Sequence, residues 1–124
     1  MNVVDSSCWI EYLGDGPNAH VYASAIEDPA DLVVPSITLF EVFKRVSQIA
    51  DESAALDAAA VMIQGRVVDL SASLALGAAR ISLAEGLPMA DAIILATARA
   101  EGATLWTQDS HFEGMPGVEY RPAT

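Results

Sequence analysis

The sequence predicts an α/β fold, a three-layer sandwich of helices around a mainly parallel sheet of four to five strands. Short apolar runs alternate with helical patterns along the whole chain, and such alternation is typical of parallel strands joined by crossover helices. The chain has 124 residues, of which 52% are hydrophobic and 19% charged. This length and composition predict one folded domain, spanning 1–124, with one hydrophobic core.

The first strand and helix are predicted at the beginning of the chain. The apolar run NVVD ends at Asp5, and the segment SSCWIEYL that follows is expected to be helical, with Ser6 or Ser7 as its N-cap. Pro17 and Asn18 interrupt this pattern. The segment HVYASAI then indicates a second, short helix.

The middle of the chain predicts a second strand and two helices. The β-branched run LVV ends at Pro35, and Asp51 is the expected N-cap of the Ala-rich helix ESAALDAAAVMIQ. Gly65 stands where a left-handed residue usually closes a helix. Between them, an apolar stripe at helical spacing predicts a long helix; its residues are Leu39, Val42, Phe43, Val46 and Ile49.

The remainder of the chain continues the alternation. A third strand is expected over 66–70, followed by a helix capped near Ser71 and broken around Gly86. The helix MADAIILATARAE comes next and is closed by Gly102. The run TLWTQD predicts a fourth strand, and a short edge strand is expected over 118–120.

Composition and charge restrict the kind of partner and compartment. The net charge of −11 ordinarily argues against binding nucleic acid through phosphates, unless the carboxylates themselves bind divalent cations. Cys8 is the only cysteine, so an internal disulfide is impossible, and with His20 and His111 it cannot complete a four-ligand zinc site. The chain shows no signal-peptide pattern and no apolar run near the ~18 residues of a membrane span. We therefore expect a cytoplasmic protein.

Three acids follow apolar strand runs, where open parallel sheets bind ligands. They are Asp5, Asp69 and Asp109. Aspartate is also a common turn and cap residue, so each of them has a structural alternative. Asp69 is the one expected to be only a cap, because a helix begins directly after it, near Ser71.

Asp91 is predicted to point toward the packed side of its helix. At 100° per residue it shares a face with the apolar side chains Ile94, Leu95 and Ala98. A carboxylate there must be neutralised, be paired or hold a metal, because burying an isolated charge is costly. The alternative is that Asp91 only complements the positive end of the helix dipole.

Glu41 falls on the polar side of its predicted helix. Lys44 and Arg45 stand three and four residues later, so periodicity alone favours an exposed ion pair.

A group of carboxylates with few nearby bases is suited to hard divalent cations. Mg²⁺ and Mn²⁺ prefer oxygen ligands, and such ions can activate a water for phosphodiester hydrolysis. The sequence contains no GxGxxG, no Walker loop and no GxSxG elbow. His111 stands close to Asp109 but is expected to serve mainly in a loop, and His20 is expected to lie in a helix away from the strand ends.

Four segments together resemble the PIN-domain ribonucleases of the VapC toxin type. They are VVDSSCWIEYL, VPSITLFEVFKRV, LPMADAIILATARAEGATLWTQDSHF and PGVEY, which cover nearly the whole chain. The resemblance implies a PIN-domain-like three-layer α/β/α sandwich and a metal-dependent endoribonuclease.

The resemblance also implies a set of site residues. The family's acidic quartet falls on Asp5, Glu41, Asp91 and Asp109, and Thr107 matches the Thr or Ser that helps to shape the site. Asp5 and Asp91 would contact a Mg²⁺ or Mn²⁺ ion. Asp109, a further candidate ligand, and Glu41 would complete the pocket directly or through water. Whether Glu11 takes part is left open.

The implied partners are an antitoxin and an RNA. VapC-like toxins are made with a small VapB-like antitoxin that often brings a basic side chain to the acidic pocket, and the net charge of −11 suits such a partner. The substrate would be an RNA, tRNA or rRNA, and the assembly a homodimer that forms a larger complex with antitoxin. No membrane partner is expected.

Two other functions remain alternatives. One is a non-catalytic binding module with the same fold. The other is a receiver-like phosphoacceptor switch, which requires an acidic pair after the first strand and a lysine at the end of a late strand. Here Asp5 is followed by Ser6, and the only lysine, Lys44, falls in a predicted helix.

Overall fold

Five parallel strands form the central layer of the protein. The computed structural model describes residues 1–124 and orders the strands β3-β2-β1-β4-β5, with each neighbouring pair parallel. Their bounds are β1 (Asn2–Val4), β2 (Leu32–Pro35), β3 (Arg66–Val68), β4 (Thr104–Thr107) and β5 (Val118–Tyr120). The α/β class, the mainly parallel sheet and the short fifth strand are therefore confirmed. The third strand ends at Val68, two residues earlier than expected.

Six helices cover the two faces of this sheet. They are α1 (Ser6–Leu13), α2 (Ala19–Ile26), α3 (Ser36–Ile49), α4 (Glu52–Met62), α5 (Ala72–Glu85) and α6 (Met89–Ala100). Two 3₁₀ turns, Pro29–Asp31 and Ser110–Phe112, complete the regular structure. No single helix is long and apolar enough to cross a membrane; α5 and α6 meet that criterion only as a pair, with a bend of 115° between them.

The alternation of side chains along the strands produces two apolar cores, one on each face of the sheet, where the sequence predicted a single core. Successive residues of a strand point to opposite faces, so Val3 joins one buried cluster and Val4 the other. The cluster with Val3 is closed by α5 and α6, and the cluster with Val4 is closed by α1 to α4. The predicted three layers follow directly from this arrangement.

The cap of α1 differs from the expected one. Asp5, not Ser6 or Ser7, is the N-cap, and its Oδ1 accepts a hydrogen bond of 2.8 Å from the backbone N–H of Ser6. The prediction of a serine cap was wrong because Asp5 is the only residue between β1 and α1. Asp5 therefore both follows the last residue of β1 and caps α1.

Gly65 does not adopt the left-handed conformation expected of it. The glycines with positive φ are Gly86, Gly102, Gly114 and Gly117. Glycine is required at position 65 for space: an added Cβ would lie 3.0 Å from Leu32 Cγ and 3.0 Å from Val34 Cγ2. The backbone therefore passes close to the buried side chains of β2.

Asp69 is not the cap of α5. Ser71 has that role, as the sequence predicted, and its Oγ accepts from the backbone N–H of Leu74 at 3.1 Å. Asp69 is exposed and forms no side-chain hydrogen bond or ion pair. Asp69 follows Val68, the last residue of β3, and is a charged surface residue that does not cap a helix.

Candidate metal centre

Asp5 is a nearly buried carboxylate at the carboxyl end of the central strand β1. Its residue is 5% exposed, and no Lys, Arg or His forms an ion pair with it. Burial raises the pKa of Asp5 from 3.8 to about 6, against the lowering effect of hydrogen bonds from Thr107 and Ser6, and the charges of Asp91 and Glu41 raise it further. No basic side chain of the protein forms an ion pair that would stabilise the ionised form of Asp5.

Thr107 connects Asp5 to Asp109. Its hydroxyl is fully buried at the end of β4, donates to Oδ2 of Asp5 at 2.8 Å and accepts from the backbone N–H of Asp109 at 3.0 Å. The register of the sheet makes this possible, because β1 and β4 are adjacent and parallel. A hydroxyl both donates and accepts, so threonine or serine satisfies both contacts.

Glu41 is turned toward α1. The hydroxyl of Ser6 donates to its Oε1 at 2.6 Å. Glu41 is partly buried and forms no ion pair with Lys44 or Arg45, so the exposed ion pair that helical periodicity favours was wrong. The reason is tertiary, since the partner on α1 is 35 residues away in the sequence.

Asp91 lies in the first turn of α6, on the packed side that periodicity predicted. Its side chain is 16% exposed, and Ile94, Leu95 and Ala98 on the same face are each 1% exposed. Burial raises the pKa of Asp91, the hydrogen bond with His111 lowers it, and the charge of Asp109 raises it. Asp91 is therefore a second poorly solvated carboxylate beside Asp5.

His111 is brought to the acids by the turn that follows β4. Asp109 caps this 3₁₀ turn, because its Oδ1 accepts from the backbone N–H of His111 at 2.9 Å. The imidazole Nδ1 then lies 3.1 Å from Oδ2 of Asp91 and 3.4 Å from Oδ1 of Asp109. The hydrogen bond to Asp91 and the charge of Asp109 raise the pKa of His111. Sequence reasoning assigned His111 to a loop and missed this contact; its place two residues after a strand-end acid was the available signal.

A continuous path of hydrogen bonds joins all four predicted acids. In order along this path the residues are Glu41, Ser6, Asp5, Thr107, Asp109, His111 and Asp91. We call this set the acidic pocket. Its only basic side chain is His111, so the negative charge is left for a ligand to balance.

The donor set of the acidic pocket fits a divalent cation. Ligand atoms of Asp91, Asp109 and His111 all lie within 4.8 Å of one another. Oxygen ligands suit Mg²⁺ and Mn²⁺, and the nearly buried Asp5 adds a carboxylate without an ion-pair partner. The close group contains His111 in place of Asp5 and Glu41, which lie further along the hydrogen-bond path.

The other candidate residues do not belong to the hydrogen-bond path of the acidic pocket. Oε1 of Glu11 accepts from the backbone N–H of Asn18 at 2.9 Å and so holds the loop between α1 and α2. His20 is exposed on α2. Cys8 is buried, and burial raises the pKa of its thiol to about 12, which keeps it protonated and unreactive.

Two of three comparisons relate the chain to known proteins. A family model described as PIN domain matches residues 3–118. A search of curated protein sequences found no significant match.

Similar solved structures include proteins of toxin–antitoxin systems. A toxin–antitoxin complex from Klebsiella pneumoniae has a chain that superposes with a TM-score of 0.81 at 23% identity, over 96% of both chains. VapC20 of Mycobacterium tuberculosis, described as a sarcin–ricin loop cleaving toxin, gives a TM-score of 0.81 at 22% identity, over 98% of this chain and 100% of that one. VapBC2 from Rickettsia felis, bound to a DNA fragment from its promoter, gives a TM-score of 0.72 at 18% identity, over 98% of this chain and 97% of that one. At these identities the likeness establishes the shared fold.

Proposed function

The chain belongs to the PIN domain family, and on this basis we propose that it is the toxin of a VapBC-type toxin–antitoxin pair and a metal-dependent endoribonuclease. One observation carries the proposal: four carboxylates from β1, α3, α6 and the end of β4 meet in the acidic pocket without a lysine or arginine. Lys44, the only lysine, forms no ion pair with any of them, which disfavours a receiver-like switch.

We assign the carboxylates separate tasks. Asp5, Asp91 and Asp109 hold Mg²⁺ or Mn²⁺, and Thr107 and Ser6 keep the carboxylates in position. When bound, a divalent cation supplies an activated water and balances charge on the phosphate and the leaving oxygen.

Glu41 completes the pocket on the side of α3. Its Oε1 is engaged by Ser6, whereas Oε2 has no hydrogen-bond partner and is available to orient the attacking water. In the hydrolysis, the water oxygen forms a bond to phosphorus and the bond to the leaving sugar oxygen breaks. The water's proton passes to a carboxylate, and the leaving oxygen takes up a proton from solvent to become a hydroxyl group.

The net charge of the chain limits how it can bind RNA. With six basic residues against seventeen acidic ones, the chain attracts phosphates weakly. Binding of RNA therefore depends on the cation, and selectivity comes from the shape of a structured target such as a loop of rRNA or tRNA. The description of VapC20 as a sarcin–ricin loop cleaving toxin supports this choice.

The same charge supports an antitoxin partner. A basic side chain placed in the acidic pocket would replace the cation's charge and block the site. Toxin–antitoxin complexes are among the similar structures. We further propose a homodimer that joins antitoxin in a larger complex, acting in the cytoplasm.

Cleavage of RNA by the purified, antitoxin-free chain tests this function. Total RNA and tRNA are incubated with Mg²⁺, Mn²⁺ or EDTA. We expect discrete fragments that require the cation, are lost in Asp5→Asn and persist in Asp69→Asn, whose exposed side chain has no contact with the pocket. A folded chain that binds the cation but cleaves neither RNA would instead support a non-catalytic binding module.

A further inference from the structure

We propose that His111 is itself a ligand of the cation and that it gives the site a preference for Mn²⁺ over Mg²⁺. The inference rests on the proposed function, which requires a divalent cation in the acidic pocket. It adds a nitrogen donor to a set that otherwise consists of carboxylate oxygens.

The positions of the donor atoms support direct coordination. Nδ1 of His111 lies 3.1 Å from Oδ2 of Asp91 and 3.4 Å from Oδ1 of Asp109. An octahedral ion with bonds of about 2.1 Å separates adjacent ligand atoms by about 3.0 Å. The separation of 3.1 Å is close to the edge of such a coordination shell, and the separation of 3.4 Å is slightly longer than that edge.

The backbone holds the imidazole in this place. The N–H of His111 is bound by Asp109, and the N–H of Asp109 is bound by the buried hydroxyl of Thr107. The turn is thus connected through Asp109 to Thr107, the last residue of β4. Nδ1 faces the two carboxylates, while the side chain is 56% exposed, so the ring can meet a cation without rebuilding the core.

The chemistry of the donor sets the preference. Imidazole nitrogen binds first-row transition-metal ions well, whereas Mg²⁺ favours oxygen ligands and water. The imidazole of His111 and the carboxylates of Asp5, Asp91 and Asp109 together form a site with both nitrogen and oxygen ligands. Loss of the imidazole should therefore weaken the binding of Mn²⁺ much more than the binding of Mg²⁺.

Pulsed EPR of bound Mn²⁺ measures this ligation directly, independently of RNA cleavage. The full chain is stripped of metal, loaded with Mn²⁺ at pH 8 and examined for ¹⁴N modulation, and calorimetry gives Mn²⁺ and Mg²⁺ affinities. The chain has only two histidines, so His20→Ala is a matched control, with an exposed histidine removed from α2. Circular dichroism checks that each variant is folded.

We expect ¹⁴N modulation in the wild type and in His20→Ala, and its loss in His111→Ala. Mn²⁺ affinity should fall by about tenfold or more in His111→Ala, with Mg²⁺ affinity changed by less than about threefold. Bound Mn²⁺ without nitrogen coupling in the wild type, or coupling that survives His111→Ala, would overturn the ligation while leaving the nuclease proposal standing. Failure of the wild type to bind any divalent cation would overturn both.

Discussion

The hydroxyl of Thr107 donates a hydrogen bond of 2.8 Å to Oδ2 of Asp5, across the boundary between two adjacent parallel strands. Both residues lie at the carboxyl ends of their strands, and both are buried. Because the same hydroxyl accepts from the N–H of Asp109, it sets the relative position of two acids. Several properties of the pocket depend on this contact.

Replacing Thr107 with valine keeps the shape of the side chain but removes the hydroxyl. Thr107→Val removes the shorter of the two hydrogen bonds to Oδ2 of Asp5 and leaves only the one from the Ser7 hydroxyl at 3.3 Å. It also leaves the N–H of Asp109 without its acceptor. We expect a loss of roughly 1–3 kcal/mol in the free energy of unfolding, measured in urea, and weaker binding of Mn²⁺.

Thr97→Val is the control for this experiment. Thr97 is equally buried, but its hydroxyl bonds the carbonyl of Ile93 within α6. Its replacement should leave Mn²⁺ affinity unchanged. If Thr107→Val also bound Mn²⁺ as tightly as the wild type, Thr107 would have no role in positioning the acids.

The stability of the metal-free protein should fall as the pH rises. The pKa of Asp5 is raised from 3.8 to about 6 in the folded state, so the folded state holds this proton more tightly than the unfolded chain. The corresponding stability is complete below pH 3.8 and is lost as the pH passes through 6. For one group the loss is on the order of 3 kcal/mol.

Urea unfolding of the wild type and Asp5→Asn between pH 4 and pH 8 checks this relationship. The variant cannot ionise at this position, so its advantage over the wild type should grow as the pH rises toward 7. Adding Mn²⁺ at pH 7.5 should stabilise the wild type and have little effect on the variant. If the difference in stability between the two proteins stayed constant from pH 4 to pH 8, burial would not raise the pKa of Asp5.

Asp91→Asn separates function from folding. It removes one charge from the acidic pocket while keeping the size of the side chain. We expect cleavage to be abolished and the metal-free variant to be as stable as the wild type or slightly more so. Asp69→Asn, at an exposed position, should cleave RNA at nearly the wild-type rate. An unfolded Asp91→Asn would instead show that the carboxylate of Asp91 is required for folding.

Substitution of two glycines by alanine tests whether position 65 requires glycine because of limited space. Gly65→Ala would press a methyl group against Leu32 and Val34, and we expect a loss of roughly 1–3 kcal/mol in thermal or urea unfolding. Gly77→Ala, inside α5 with nothing within 4 Å, should gain roughly 0.5–1 kcal/mol, because alanine favours helix. Equal effects of the two substitutions would contradict the close approach at position 65.

Local patterns were sufficient for much of the fold. Alternation of apolar runs and helical stripes predicted the order of the elements, because each strand and helix must bury a face of its own. The orientation of Asp91 followed from helical period for the same reason. Boundaries were less accurate, as the cap of α1 and the role of Gly65 show, since both depend on how closely a neighbouring element approaches.

The sequence by itself determined the α/β class, the alternation of elements and the presence of acids after the first and fourth strands, since these are properties of consecutive residues. Only the tertiary structure decided which acids share a site. Glu41 reaches Ser6 across 35 residues, and His111 reaches Asp91 across 20. Such contacts depend on strand order and register, because parallel pairing brings distant strand ends to one edge of the sheet.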